Sequence, residues 1–141
     1  MNIKEELENY RKTIVKISNK KDEIEEIKEN ISEISGPSYD ATGIMAKGFK
    51  QSSLEKAIIN ANEKIRKKQK EIKKLENKLA VIDSLILSLK EEERNIIVSF
   101  YLQGRTNRKI ASELEVTLEA IKKRKKRIVK SMQTTYDKLR K

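Results

Sequence analysis

Six consecutive cations, residues 122–127, form the densest charge cluster in this chain of 141 residues. From residue 104 to the end there are thirteen Lys and Arg against four Asp and Glu, whereas the first 103 residues hold twenty against eighteen. Like charges three or four positions apart repel one another on a helix unless an anion faces them. The cluster therefore predicts a polyanionic partner, nucleic acid first, with a solvated basic tail as the alternative.

The composition excludes several other kinds of chemistry. Cys and His are absent, which removes the thiolate and imidazole ligands of a zinc site, the usual general base and the thiol nucleophile. There is no Gly-rich phosphate loop, and the carboxylates fall at helix-surface spacings. We therefore expect neither an enzyme nor a cofactor. No apolar run is long enough to cross a bilayer and the N-terminus lacks a signal-peptide core, so we expect a cytoplasmic protein with no membrane partner.

The cations lie on the second of two short helices predicted near the C-terminus. Thr106 can cap a helix over residues 107–114, a turn follows at 115–116, and Thr117 can cap a second helix from Leu118. The small Ala111 stands where the helices would cross, which predicts a helix-turn-helix whose second helix lies in the major groove of double-stranded DNA. The inward-facing residues should be Ile110, Ala111, Leu114, Val116, Ile121, Ile128 and Met132. The outer face should carry Glu119, Lys122, Lys123, Lys126 and Lys130, with Arg124, Lys125 and Arg127 beside them.

A further helix should precede this pair. Ser88 and Glu91 have the spacing of a capping box. Gly104 is a plausible left-handed cap at the other end. The apolar residues expected on this helix are Ile96, Ile97, Phe100 and Tyr101.

Two long helices are predicted upstream. The first covers residues 3–35, and its stripe changes phase at Ile24. Its stripe residues are Ile3, Leu7, Tyr10, Ile14, Ile17, Ile24, Ile27, Ile31 and Ile34, with Lys21 in the one polar slot. The second opens at a capping box, Ser52 to Glu55, and carries an unbroken heptad seam to Leu89. Lys68 in that seam must either extend its ammonium to the surface or loosen the packing.

So narrow an apolar seam needs a partner helix. The first helix, folded back as an antiparallel hairpin, is slightly favoured over the same helix of a second subunit, which would give a homodimer. The predicted fold is all-α, with two long coiled-coil helices followed by a C-terminal helix-turn-helix bundle. The predicted segments are a coiled-coil helix at 1–35, a linker at 36–52, a heptad helix at 53–90 and a DNA-binding domain at 91–141.

The C-terminal segment resembles region four of bacterial sigma factors in residues 89–97, 101–106 and 109–117. Residues 36–40, followed by a heptad helix and this ending, are similar to phage-encoded transcriptional regulators of the ArpU/RinA type. The resemblance implies binding to upstream promoter DNA and contact with RNA polymerase to activate phage late or related genes. A chain with no Trp, two Phe and a coiled-coil N-terminal half fits an accessory activator better than a complete sigma factor.

The resemblance also implies roles for individual residues. Glu119, Lys122 and Lys123 would face base edges, and Lys126 belongs to the same DNA-binding set. Those implied nearer the phosphates are Thr106, Arg108, Thr117 and Arg124. Two positions depart from the family pattern. Glu115 replaces the Gly of the turn, so the turn must adopt a conformation that a non-Gly residue tolerates. Leu118 replaces the Arg that often follows the Thr cap, so a contact with a phosphate or a base is expected to be missing.

Two other functions are compatible with these patterns. A phage small terminase subunit also combines a helix-turn-helix with coiled coil, although its DNA-binding module more often comes first. A coiled-coil adaptor with a basic tail would bind DNA weakly and without regard to sequence.

Overall fold

A computed structural model of the chain describes residues 1–35 and 48–140. These residues form an all-α fold without strands, which confirms the predicted fold class. The helices are α1 (Ile3–Glu8), α2 (Tyr10–Ser35), α3 (Gly48–Leu87), α4 (Glu91–Ile97), a π-helix (Val98–Leu102), α5 (Asn107–Leu114) and α6 (Leu118–Leu139). Within these two ranges no helix combines the length and the apolar content that crossing a membrane requires.

The first predicted helix is interrupted at Asn9. The Asn2 side chain caps α1 by accepting from the Glu5 amide at 3.1 Å, and Asn9 (φ −94°, ψ 2°) ends that helix before α2 begins. This break shifts the buried face by one residue, so Thr13 is 7% exposed while the predicted Ile14 is 47% exposed. A single helix over 3–35, with its phase change at Ile24, was therefore wrong.

The chain divides into two compact units. Unit 1 comprises Met1–Val15 and Glu76–Lys141, and unit 2 comprises Lys16–Leu75. Unit 2 is thus inserted in sequence between the two segments of unit 1.

Unit 2 is held together by antiparallel pairing of α2 with α3. Lys20 Nζ lies 2.6 Å from Glu71 Oε2, and Lys68 Nζ lies 2.6 Å from Glu23 Oε2. The predicted polar slot of α2 is thus occupied by Lys20 rather than Lys21, whose side chain is exposed. The Lys68 ammonium reaches a surface carboxylate, which is the first of the two options predicted for it. The favoured hairpin is present in the described residues, whereas coiled-coil geometry and a homodimer remain predictions.

The predicted start of the second long helix was also wrong. The α3 helix begins at Gly48, so Ser52 lies inside it and does not open it. Of the predicted linker at 36–52, residues 36–47 lie outside the described residues and the remainder belongs to α3. The helix ends at Leu87, two residues before the predicted Leu89.

The core of unit 1 is completed by the N-terminal segment of the chain. Ile3 and Leu7 are 0% exposed and pack in one cluster with the helix-turn-helix residues. The Ile3 amide donates to Gln133 Oε1 at 2.8 Å, and Gln133 Nε2 donates to the Met1 carbonyl at 3.2 Å. Leu114, predicted in this core, is 38% exposed instead. The buried cluster consists of Ile3, Leu7, Ile82, Leu85, Ile86, Ile96, Ile97, Ile110, Ala111, Ile121, Ile128, Val129 and Met132.

The predicted capping box before α4 is absent. Lys90 occupies the N-cap position without a side-chain bond, and the Ser88 hydroxyl donates to the Leu85 carbonyl at 2.7 Å. Arg94 instead closes the end of α3, since its guanidinium donates to the carbonyls of Ile86, Leu87 and Leu89 at 3.4, 3.2 and 3.0 Å. The junction between α3 and α4 is therefore fixed by an arginine that binds carbonyls at and just beyond the end of α3, where the Ile86 carbonyl also accepts from the Leu89 amide at 3.1 Å.

Gly104 follows the π-helix in a left-handed conformation (φ 71°), as predicted for a helix cap. A Cβ at this position would meet Nη1 of Arg11, the far end of a flexible side chain that can move aside. The positive φ is therefore the main reason for glycine at this position.

Candidate nucleic-acid interface

The helix-turn-helix is built by two threonine caps and a tight turn. Thr106 Oγ1 accepts from the Lys109 amide and Thr117 Oγ1 accepts from the Ala120 amide, both at 3.1 Å. Ala111 is buried where the helices meet, and its carbonyl accepts from the Val116 amide at 3.0 Å. Both caps, the small crossing residue and the bounds of α5 were predicted from the sequence and are confirmed.

Glu115 adopts the left-handed conformation at the turn (φ 56°, ψ 43°). The turn thus keeps the backbone that a glycine would adopt, and the glutamate carries the steric cost of its Cβ there. Glu115 is the one non-glycine residue with positive φ within the described residues.

The α6 helix presents a basic face to solvent, because its apolar side is used by the core. Ile121, Ile128, Val129 and Met132 are buried on the inner side. The exposed charged residues on the N-terminal two-thirds of the helix are Glu119, Lys122, Lys123, Lys126, Arg127 and Lys130. The one ion pair within this face joins Lys122 to Glu119 at 3.8 Å across one turn, in the described part of the chain. Such exposed pairs contribute little to stability and exchange easily for another anion.

Arg124, implied by the resemblance to lie near phosphates, is held to the side of this face. Its Nη1 lies 3.4 Å from Glu92 Oε1 of α4, and its side chain is only partly exposed. Arg108 is exposed on α5. The hydroxyl oxygens of Thr106 and Thr117 accept from the cap amides, which leaves each O–H able to donate to a phosphate. Of the eight residues predicted to bind DNA, the structure thus gathers Thr117, Glu119, Lys122, Lys123 and Lys126 on α6 and its cap, while Arg124 faces α4.

Lys125 points away from the outer face and toward the π-helix. Its Nζ lies 3.0 Å from the ring centroid of Phe100 and 5.8 Å from that of Tyr101. The two rings contact each other edge-on, with centroids 4.9 Å apart. Burial, followed by the charges of Lys122 and Lys4, lowers the pKa of Lys125 from 10.5 to about 8. Lys125 was predicted only as a neighbour of the outer face, and Lys4 was not predicted at all.

These features define a helix-turn-helix with a solvent-facing, cation-rich second helix. Residues 85–134 match the family model described as Sigma-70, region 4, about a third of the chain. No curated protein and no solved structure matches the chain. The matched family is one of DNA-binding regulatory domains rather than of enzymes. The match therefore supports a DNA-binding helix-turn-helix regulator, in agreement with the geometry of α5 and α6.

Proposed function

We propose that the protein is a sequence-specific transcriptional regulator that places α6 in the major groove of promoter DNA. The observation that carries this proposal is the outer face of α6, where four exposed lysines face solvent and a single exposed glutamate accompanies them. Such a face suits the phosphate backbone, because each neutralised phosphate releases condensed counterions. The second helix of a helix-turn-helix is also the element that reads base edges.

The roles of individual residues follow from their positions. Glu119, Lys122 and Lys123 lie in the first turns of α6, which contact base edges in this motif. Glutamate accepts from the amino group of cytosine, and lysine donates to guanine O6 and N7. Lys126, one turn further on, and Arg108 on α5 would contact phosphates. Arg124 can do so only by leaving Glu92.

The regulator would act as an activator together with RNA polymerase, in the manner of the phage-encoded proteins that the sequence resembles. The sigma region-four-like match supports a polymerase partner, since that region belongs to a polymerase subunit. The helical pair of unit 2 would be available for contact with a second copy of the chain.

The DNA-binding proposal is tested by the double substitution Lys122→Ala, Lys123→Ala. Loss of two phosphate contacts alone should weaken binding about 30-fold at 0.15 M salt, and lost base contacts should add to this. Fluorescence anisotropy with DNA from the protein's own operon measures the change, and far-ultraviolet circular dichroism should show unchanged helicity. The matched control is Lys73→Ala, Lys74→Ala, which removes two exposed charges from unit 2. Equal affinities for the two double variants would contradict the proposal.

The polymerase proposal needs its own experiment. DNase footprinting on that operon, with and without RNA polymerase, should show an extended protected region and stronger protection when both proteins are present. Protection by the regulator that polymerase leaves unchanged, together with a ring-sized particle in light scattering, would instead favour a DNA-packaging role. Weak binding that is equal on all sequences would favour an adaptor.

A further inference from the structure

A cavity of about 400 Å³ opens on one flank of α6 within unit 1. It lies between the N-terminal helix α1, the π-helix and α6, three elements that are distant in sequence. Its walls are formed by Lys4, Tyr101, Lys122, Lys125, Lys126 and Val129. Four of these six side chains are lysines.

Of the four lysines in this cavity, only Lys122 has a carboxylate partner within the described residues, the exposed Glu119 at 3.8 Å. No carboxylate lines it, and Lys4, Lys125 and Lys126 form no ion pair within the described residues. The lowered pKa of Lys125 has the same origin, because its ammonium loses water to Phe100 while Lys122 and Lys4 stand nearby. Lysines gathered without acids are stabilised when an anion enters between them.

The opposite flank of α6 is different. The smaller cavity there, about 210 Å³, includes Glu92 and Glu93 beside Arg124 and Arg127. Its positive charges already have counter-charges, and Arg124 pairs with Glu92. An anion is therefore favoured on one flank of the helix and not on the other.

We propose that the lysine cavity binds a backbone phosphate of the DNA, so that Lys4 of α1 belongs to the DNA-binding surface together with Lys125. This inference rests on the proposed function. Lys122 and Lys126 belong both to the outer face of α6 and to the wall of the cavity, so a strand lying along that face passes the cavity mouth. A phosphodiester presents acceptor oxygens only, which suits ammonium donors and the Tyr101 hydroxyl. The contact would position the duplex without reading its sequence.

The substitution Lys4→Gln tests this inference. The slope of log K against log salt should fall by about 0.9, which corresponds to about a fivefold loss of affinity at 0.15 M salt, equal on specific and unrelated DNA. Lys4→Arg should retain the wild-type slope, because it keeps the charge. The matched control is Lys12→Gln, an exposed lysine of the same N-terminal segment that does not line the cavity. Its slope should equal that of the wild type.

The outcomes separate this inference from the proposed function. If the wild-type chain fails to bind DNA, the proposed function is wrong and this inference with it. If the wild type binds but Lys4→Gln and Lys12→Gln have equal slopes, only the inference is overturned. Titration calorimetry with inorganic pyrophosphate tests whether the cavity binds a free phosphate compound instead of a phosphate of DNA. Pyrophosphate binding that Lys4→Gln abolishes, with DNA affinity unchanged, would assign the cavity to a free anion and overturn the DNA contact.

Discussion

Replacing Leu7 by Ala should destabilise the helix-turn-helix, although Leu7 lies far outside the segment that matches Sigma-70 region 4. The Leu7 side chain is 0% exposed in the unit 1 core. The substitution removes three carbon groups, worth about 2.4 kcal/mol of transfer free energy. The cavity left in a close-packed core adds to this loss, so the free energy of unfolding should fall by about 3–4 kcal/mol. The unfolded population of unit 1 would then rise a few hundredfold.

The matched control is Ile14→Ala, which removes the same number of carbons from a residue that is 47% exposed. Its cost should be about 1 kcal/mol, because half of the side chain is in water and no closed cavity forms. Amide hydrogen exchange in α5 and α6 reports the stability of unit 1 separately from unit 2. Equal costs for the two substitutions, or unchanged exchange in α5 and α6 of the Leu7 variant, would refute the packing of α1 against these helices.

Three further predictions concern the turn at Glu115, the Thr117 cap of α6 and the partly buried Lys125. Glu115→Gly should stabilise unit 1 by about 1 kcal/mol in denaturant unfolding, since glycine adopts positive φ without steric cost, whereas Glu115→Ala keeps its Cβ and should gain less. Thr117→Val should cost about 1 kcal/mol, because it leaves the Ala120 amide without its acceptor, and Thr117→Ser should restore most of this loss. Raising the pH from 7 to 9 should stabilise unit 1 but weaken DNA binding. The pKa of Lys125 is about 8 in the folded chain against 10.5 when unfolded, so the folded chain loses this proton first and the free energy of unfolding rises above pH 8 and not below it. The same loss of charge removes a cation from the DNA-binding surface. Lys125→Met should remove both trends, and opposite signs in the wild type would contradict this account. The groups facing Lys125 are Lys4 of α1, Tyr101 and Phe100 of the π-helix, and Lys122 and Lys126 of α6.

The elements that the sequence predicted best depend on residues close together in the chain. The caps at Thr106 and Thr117 each use an amide three positions away, so the signal lies within one helical turn. The basic outer face of α6 follows in the same way, because Ile121 and Ile128 fix which side of the helix is buried. Contact of that face with DNA remains a prediction.

The predictions that were wrong or missing have separate causes. A single non-helical residue, Asn9, interrupts the helix, so a stripe drawn through it selected Ile14 in place of Thr13, although Ile17 and Ile24 are buried as predicted. At Ser88 the spacing of a capping box was present, but α4 begins after Lys90, and the Ser88 hydroxyl donates to the Leu85 carbonyl instead of capping α4. No periodicity could have brought Lys4 to Lys125, because their proximity depends on α1 packing against α6.

Unit 2 lies in sequence between the two segments of unit 1, and this affects how much α1 can stabilise the helix-turn-helix. A flexible connection of the same length would oppose the docking of α1 by about 3–4 kcal/mol of loop-closure entropy. That is as much as burial of Leu7 is expected to contribute. The ion pairs of Lys20 with Glu71 and of Glu23 with Lys68 hold α2 against α3 close to the residues where the chain enters and leaves unit 2. Because these pairs already bring the two chain ends of unit 2 together, most of the closure entropy is lost when unit 2 forms. Burial of Ile3 and Leu7 can then stabilise the helix-turn-helix, because it no longer has to offset the entropy of closing that loop.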